Sequence, residues 1–131
     1  MATTQIGVER RAQDRLWIGG EWSDAAGGAT FATFNPSTGA ELTQVPAGDA
    51  ADIDRAVAAA RQAFEDPSWA RMDAADRGAI LWRMADVMAA RADELARIET
   101  LDNGKPLREA QIDIATAIDA LRYYAGWATK L

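Results

Sequence analysis

One stop between two helical patterns constrains this chain more than any other feature. Glu99-Thr100-Leu101-Asp102-Asn103-Gly104-Lys105-Pro106 closes one helix, turns, and opens the next within eight residues. Gly104 takes the left-handed conformation that terminates a helix at no steric cost, and Asn103 tolerates it better than most residues. Pro106 has its φ preset for a first helical turn and no N–H to leave unpaired there. Lys105, preceding a proline, is pushed out of the helical region. Asp102 therefore falls at a corner between two helices, near carbonyls without intrahelical partners. A carboxylate beside free carbonyl oxygens calls for a cation, a water or a donor between them.

Three helical patterns surround that corner. The first two open with the same tetrapeptide, Asp49-Ala50-Ala51-Asp52 and Asp73-Ala74-Ala75-Asp76. An N-cap aspartate with a second carboxylate three residues on satisfies free N–H groups and complements the helix dipole. That capping accounts for both pairs without a catalytic role. The first helix places Ile53, Val57, Ala60 and Phe64 on one stripe and ends near Asp66-Pro67. The second reads as one continuous helix with Leu81, Met84, Met88, Ala92, Leu95 and Ile98 on one face. The third starts at Pro106 and lines up Leu107, Ala110, Ile114, Ala117, Leu121 and Tyr124.

The first third of the chain is a small β-meander. Leu16-Trp17-Ile18 and Glu21-Trp22 flank Gly19-Gly20, the signature of a two-residue hairpin with a primed turn. Trp17 and Trp22 read as packing residues of that sheet rather than a ligand-stacking pair. Phe31-Ala32-Thr33-Phe34 alternates as a strand and runs into the turn cluster Asn35-Pro36-Ser37-Thr38-Gly39. Leu42-Thr43-Gln44-Val45 returns and stops at Pro46. Residues 1–15 mix Arg and acidic side chains without an apolar core, which predicts a disordered tail and neither a secretory signal nor a transit peptide.

Composition narrows the chemistry. With 131 residues, 49% of them hydrophobic and 26% charged, the chain suits one globular segment, 16–131, with no internal repeat or linker. No apolar run approaches the roughly 18 residues of a membrane-spanning helix. A net charge of -6 argues against nucleic acid and against anionic membrane surfaces. The absence of Cys and His removes a thiol nucleophile, disulfides, the usual zinc sites and the commonest general base. Gly19-Gly20 and Gly27-Gly28 lack the spaced glycines that lead a strand into a phosphate-binding helix. Lys105 reads as a charged group in a turn, not a buried Schiff-base lysine. No catalytic and no cofactor-binding residue is assigned within these residues.

Four blocks carry a resemblance. Trp17-Ile18-Gly19-Gly20-Glu21-Trp22, Phe34-Asn35-Pro36-Ser37-Thr38-Gly39, Leu101-Asp102-Asn103-Gly104-Lys105-Pro106 and Leu121-Arg122-Tyr123-Tyr124-Ala125-Gly126-Trp127 follow one another in the order seen in aldehyde dehydrogenases. The chain resembles the N-terminal region of that NAD(P)-dependent superfamily over about residues 16–131. The fold this implies is α/β: the first part of the cofactor domain, a short hairpin or meander followed by three helices, without the parallel sheet.

The resemblance also implies an activity and a set of positions. Such enzymes oxidise a small-molecule aldehyde to a carboxylic acid with NAD or NADP; this chain is expected to be cytoplasmic and to form a homo-oligomer. A cysteine attacks the aldehyde, a hydride passes to nicotinamide, and an activated water releases the acid. The nucleophile and dinucleotide loop come later in the family than the region matched, so this chain alone is expected to be inactive. Similar proteins hold a potassium or sodium ion with oxygens that map to Thr33, Phe34 (through its carbonyl) and Asp102. Against that stands a local role for Asp102, accepting neighbouring N–H groups. Ile112 and Thr116, four residues apart on the third helix, map near positions that border the substrate tunnel. The alternative to an enzyme segment is a freestanding, non-catalytic helical interaction module derived from one.

Overall fold

The computed structural model describes residues 15–130. The expected tail at residues 1–15 therefore lies, Arg15 apart, outside the described residues. Contacts divide the chain into two units, one of residues 15–34 and 41–66 and the other of residues 35–40 and 67–130.

In the first unit, β1 (Leu16–Ile18) and β2 (Glu21–Ser23) form an antiparallel hairpin. Its turn needs positive φ at both central positions, which Gly19 (64°) and Gly20 (86°) supply. Trp17 pairs directly with Trp22 across the ladder, ring centroids 4.8 Å apart. A second antiparallel pair joins β3 (Thr30–Phe34) to β4 (Glu41–Pro46), with a bulge at Thr33/Phe34 that shifts the register. No parallel pair occurs among the described residues.

Helix α1 (Ala50–Glu65) completes this unit. Asp49 caps it as the sequence predicts: its carboxylate accepts from the N–H groups of Ala51 and Asp52. The Asp52 carboxylate answers by accepting from the Asp49 N–H, closing a capping box. The inward face differs from the predicted stripe. Ile53, Val57 and Phe64 are each more than 60% exposed, whereas Asp52, Ala56 and Ala59 turn inward. Small residues are what the short hairpin can accept: the backbone at Gly19 comes so near that a Cβ there would sit 3.6 Å from Ala59 Cβ.

The second unit is helical. A one-turn helix, α2 (Pro67–Ala70), precedes α3 (Ala74–Ala90), α4 (Ala92–Asn103) and α5 (Leu107–Ala125). The single long helix expected over this region is two, broken at Arg91 (φ -117°, ψ 17°). Neither Gly nor Pro marks the break. Arg91 instead turns its guanidinium onto both carboxylate oxygens of Glu94 at the start of α4. Asp73, unlike Asp49, makes no side-chain capping bond.

Ala85, Ala96, Ala110, Ile114 and Ile118 form the core where α3 and α4 meet α5, with Met88, Ala92, Leu95 and Leu121 packed around it. The α5 stripe holds at Ala110, Ile114 and Leu121 but runs through Ile118 instead of Ala117; Leu107 and Tyr124 of α5, Met84 of α3 and Ile98 of α4 are exposed rather than core. Alanine at the crossing lets the helix backbones approach closely. Gly78 marks the tightest point: a Cβ there would lie 2.7 Å from the Ala125 carbonyl oxygen.

Candidate functional site

The corner predicted to stop the helices is built from glycine geometry and charge. Gly104 sits at φ 85°, its N–H donating to the Thr100 carbonyl at 2.9 Å. A Cβ at that position would lie 2.7 Å from Pro36 Cγ, so glycine is required twice over. The 35–39 turn that meets it is itself fixed, with Asn35 Oδ1 accepting from the Ser37 N–H and the Asn35 carbonyl from the Gly39 N–H. Pro106 occupies the position before the first turn of α5, and its carbonyl accepts from the Glu109 N–H.

Lys105 closes the corner electrostatically. Its Nζ donates to Glu99 Oε1 of α4 and to Asp113 Oδ2 of α5, each at 2.5 Å. The hydrogen bond to Asp113 first, and that to Glu99 second, raise the lysine pKa above its ordinary value. This three-charge arrangement was not legible in the sequence, because spacings of six and eight residues across a turn follow no helical rule.

Asp102 lies in the last turn of α4, exposed, and its carboxylate makes no hydrogen bond or ion pair among the described residues. Its carboxylate thus caps no neighbouring N–H. Thr33 and Phe34 belong to the other unit. Thr33 Oγ1 donates to the Thr43 carbonyl at 3.4 Å, and the bulge between the two residues interrupts the ladder there. Among the described residues, no three His, Cys, Asp or Glu side chains cluster as a metal site. Ile112 and Thr116 share an exposed face of α5, the Thr116 hydroxyl donating to the Ile112 carbonyl at 2.9 Å.

Asp52 does more than its capping role predicts. It is 2% exposed, and both carboxylate oxygens accept from the Ala26 N–H, at 3.0 and 3.2 Å, in addition to the Asp49 N–H and Arg55. Arg55 also donates to the Asp24 carbonyl. The Asp49 N–H contributes most, then Arg55, to holding the Asp52 carboxyl below the usual range against the opposing effect of burial. One buried anion thereby ties the 24–28 loop to the start of α1.

The model of the aldehyde dehydrogenase family matches residues 22–131. The chain belongs to that family. It is 51% identical over 119 residues to horse mitochondrial aldehyde dehydrogenase, a match covering 89% of this chain and 24% of the relative. With the mitochondrial benzaldehyde dehydrogenase of Antirrhinum majus the identity is 46% over 119 residues, covering 90% of this chain and 22% of that protein. A solved aldehyde dehydrogenase from Bacillus cereus, in complex with NAD+, superposes with a TM-score of 0.90 at 40% identity, covering 100% of this chain and 27% of that one. The chain thus spans about a quarter of the length of the aldehyde dehydrogenases it matches. Its two antiparallel sheets and helices are those of an aldehyde dehydrogenase N-terminal, cofactor-domain segment.

Proposed function

We propose that this chain serves as the N-terminal part of an enzyme that oxidises an aldehyde to a carboxylic acid with NAD or NADP. The observation that carries the reading is the family match over residues 22–131, together with likeness to a structure in complex with NAD+. The dinucleotide would accept the hydride. Gly19 and Gly20 are spent on the hairpin turn, and no residue of this chain is assigned to the nucleotide. The chain also has no cysteine to serve as nucleophile. What its own residues contribute is scaffold: the small sheets, the helix corner, and α5 with Ile112 and Thr116 toward the substrate tunnel. The same reading assigns oxygens of Thr33, Phe34 and Asp102 to a potassium or sodium ion; the unpartnered Asp102 carboxylate supports it. We propose in addition that the whole enzyme is a cytoplasmic homo-oligomer. Among the described residues no helix is long and apolar enough to cross a membrane.

The test compares the purified chain with the product of the whole encoding reading frame, each given NAD or NADP and a panel of aldehydes. Reduced nicotinamide should accumulate, by absorbance, with the longer product alone. Turnover by the 131-residue chain itself would overturn the scaffold assignment. A reading frame that stops after Leu131 would favour the non-catalytic interaction module instead.

A further inference from the structure

We propose that Glu99 and Asp113 shield the Lys105 amine from condensation with aldehydes. The geometry carries it. The amine touches a carboxylate of α4 and a carboxylate of α5 simultaneously, and its side chain is only 24% exposed. The backbone cannot swing it away, since Gly104 abuts Pro36 on one side and Pro106 starts α5 on the other.

Condensation asks three things of a lysine. The ammonium gives up a proton, the freed lone pair adds to the carbonyl carbon as a carbinolamine, and loss of water leaves a C=N bond. At Lys105 the first step removes a proton shared with two anions, which favour the charged form. The addition then needs an approach that the carboxylates occupy. The iminium left after loss of water keeps one N–H where the ammonium had three, so it cannot donate to both Glu99 and Asp113 as the ammonium does. Each step is opposed by the same pair of side chains.

The composition runs the same way. Of 14 Lys and Arg residues only Lys105 and Lys130 are lysines. A guanidinium stays protonated at any physiological pH and offers no free lone pair to a simple aldehyde. Lys130 is exposed and makes no ion pair among the described residues, which makes it the internal reference. The biological sense of the shield rests on the aldehyde-oxidising function proposed above; the chemistry at Lys105 does not.

Propionaldehyde with cyanoborohydride, which traps each imine as a stable alkyl amine, reads the outcome at both lysines by peptide mass spectrometry. No nicotinamide cofactor is added, so the result is independent of dehydrogenase activity. Folded Lys105 should be alkylated markedly more slowly than in urea, because the two carboxylates hold the proton and occupy the approach. Replacing both acids, Glu99→Gln with Asp113→Asn, should abolish most of that protection in a protein that keeps its helical circular dichroism. Protection that persists in the folded variant would overturn the proposal. With the wild-type protein alone, the pH midpoint for labelling Lys105 should lie higher in the folded chain than in urea. Coincident midpoints would overturn it equally, whether or not the variant folds.

Discussion

Asp49 and Asp73 introduce helices with the same four residues, yet only Asp49 bonds to the N–H groups it precedes. Removing a cap that forms costs about 1 kcal/mol. Asp49→Ala should therefore lower stability by about that amount in urea melts, and Asp73→Ala by much less. Equal losses would mean that the two caps are equivalent in solution. Asp52 extends the argument to pH. Its carboxyl is depressed when folded, so its contribution is complete above the unfolded carboxyl pKa and is lost as pH falls through the folded one. Wild-type stability should decline on acidification below about pH 4, and Asp52→Asn should be less stable at neutral pH with a shallower acid decline. The cap was legible because N-cap chemistry is local. The bond from Asp52 to the Ala26 N–H spans 26 positions, and no local pattern announces it.

Among the elements, the outlines of α1 and α5 and both hairpins followed from periodicity and turn residues. The break at Arg91 did not, because neither glycine nor proline stands there and the apolar spacing runs on across it. The α1 stripe shows a second limit. Ile53, Val57 and Phe64 repeat at helical spacing, but spacing alone does not say which face meets a neighbour, and alanines face the hairpin. Two glycines test the packing that results. Gly78→Ala drives a methyl against the Ala125 carbonyl, an overpacking that costs about 1–3 kcal/mol. Gly104→Ala adds a left-handed residue of at least about 1 kcal/mol to a clash with Pro36. Both should lower the unfolding midpoint, and an unchanged melt for either would refute the close approach drawn for it.

At the scale of the whole molecule, large apolar side chains on both units remain in the open, among them Trp17, Phe31, Ile53, Val57, Phe64 and Trp82. Each two-stranded sheet also leaves strand edges unpaired. The isolated chain should therefore self-associate and bind hydrophobic dyes, measured by light scattering and fluorescence; a strict monomer with no dye binding would contradict this. For the cation reading, the product of the whole reading frame should melt higher in potassium than in a bulky organic cation at equal ionic strength. Asp102→Asn should erase the difference, and the same response in both proteins would remove Asp102 from the ion. The core carries one more consequence. Its fully enclosed members are alanines, and none of the described residues encloses a large side chain completely. Unfolding then uncovers little apolar surface for a chain of this length, and heat capacity and denaturant sensitivity both scale with that surface. The stability of this segment should vary gently with temperature, and its urea slope should fall well under that of a globular protein of equal length.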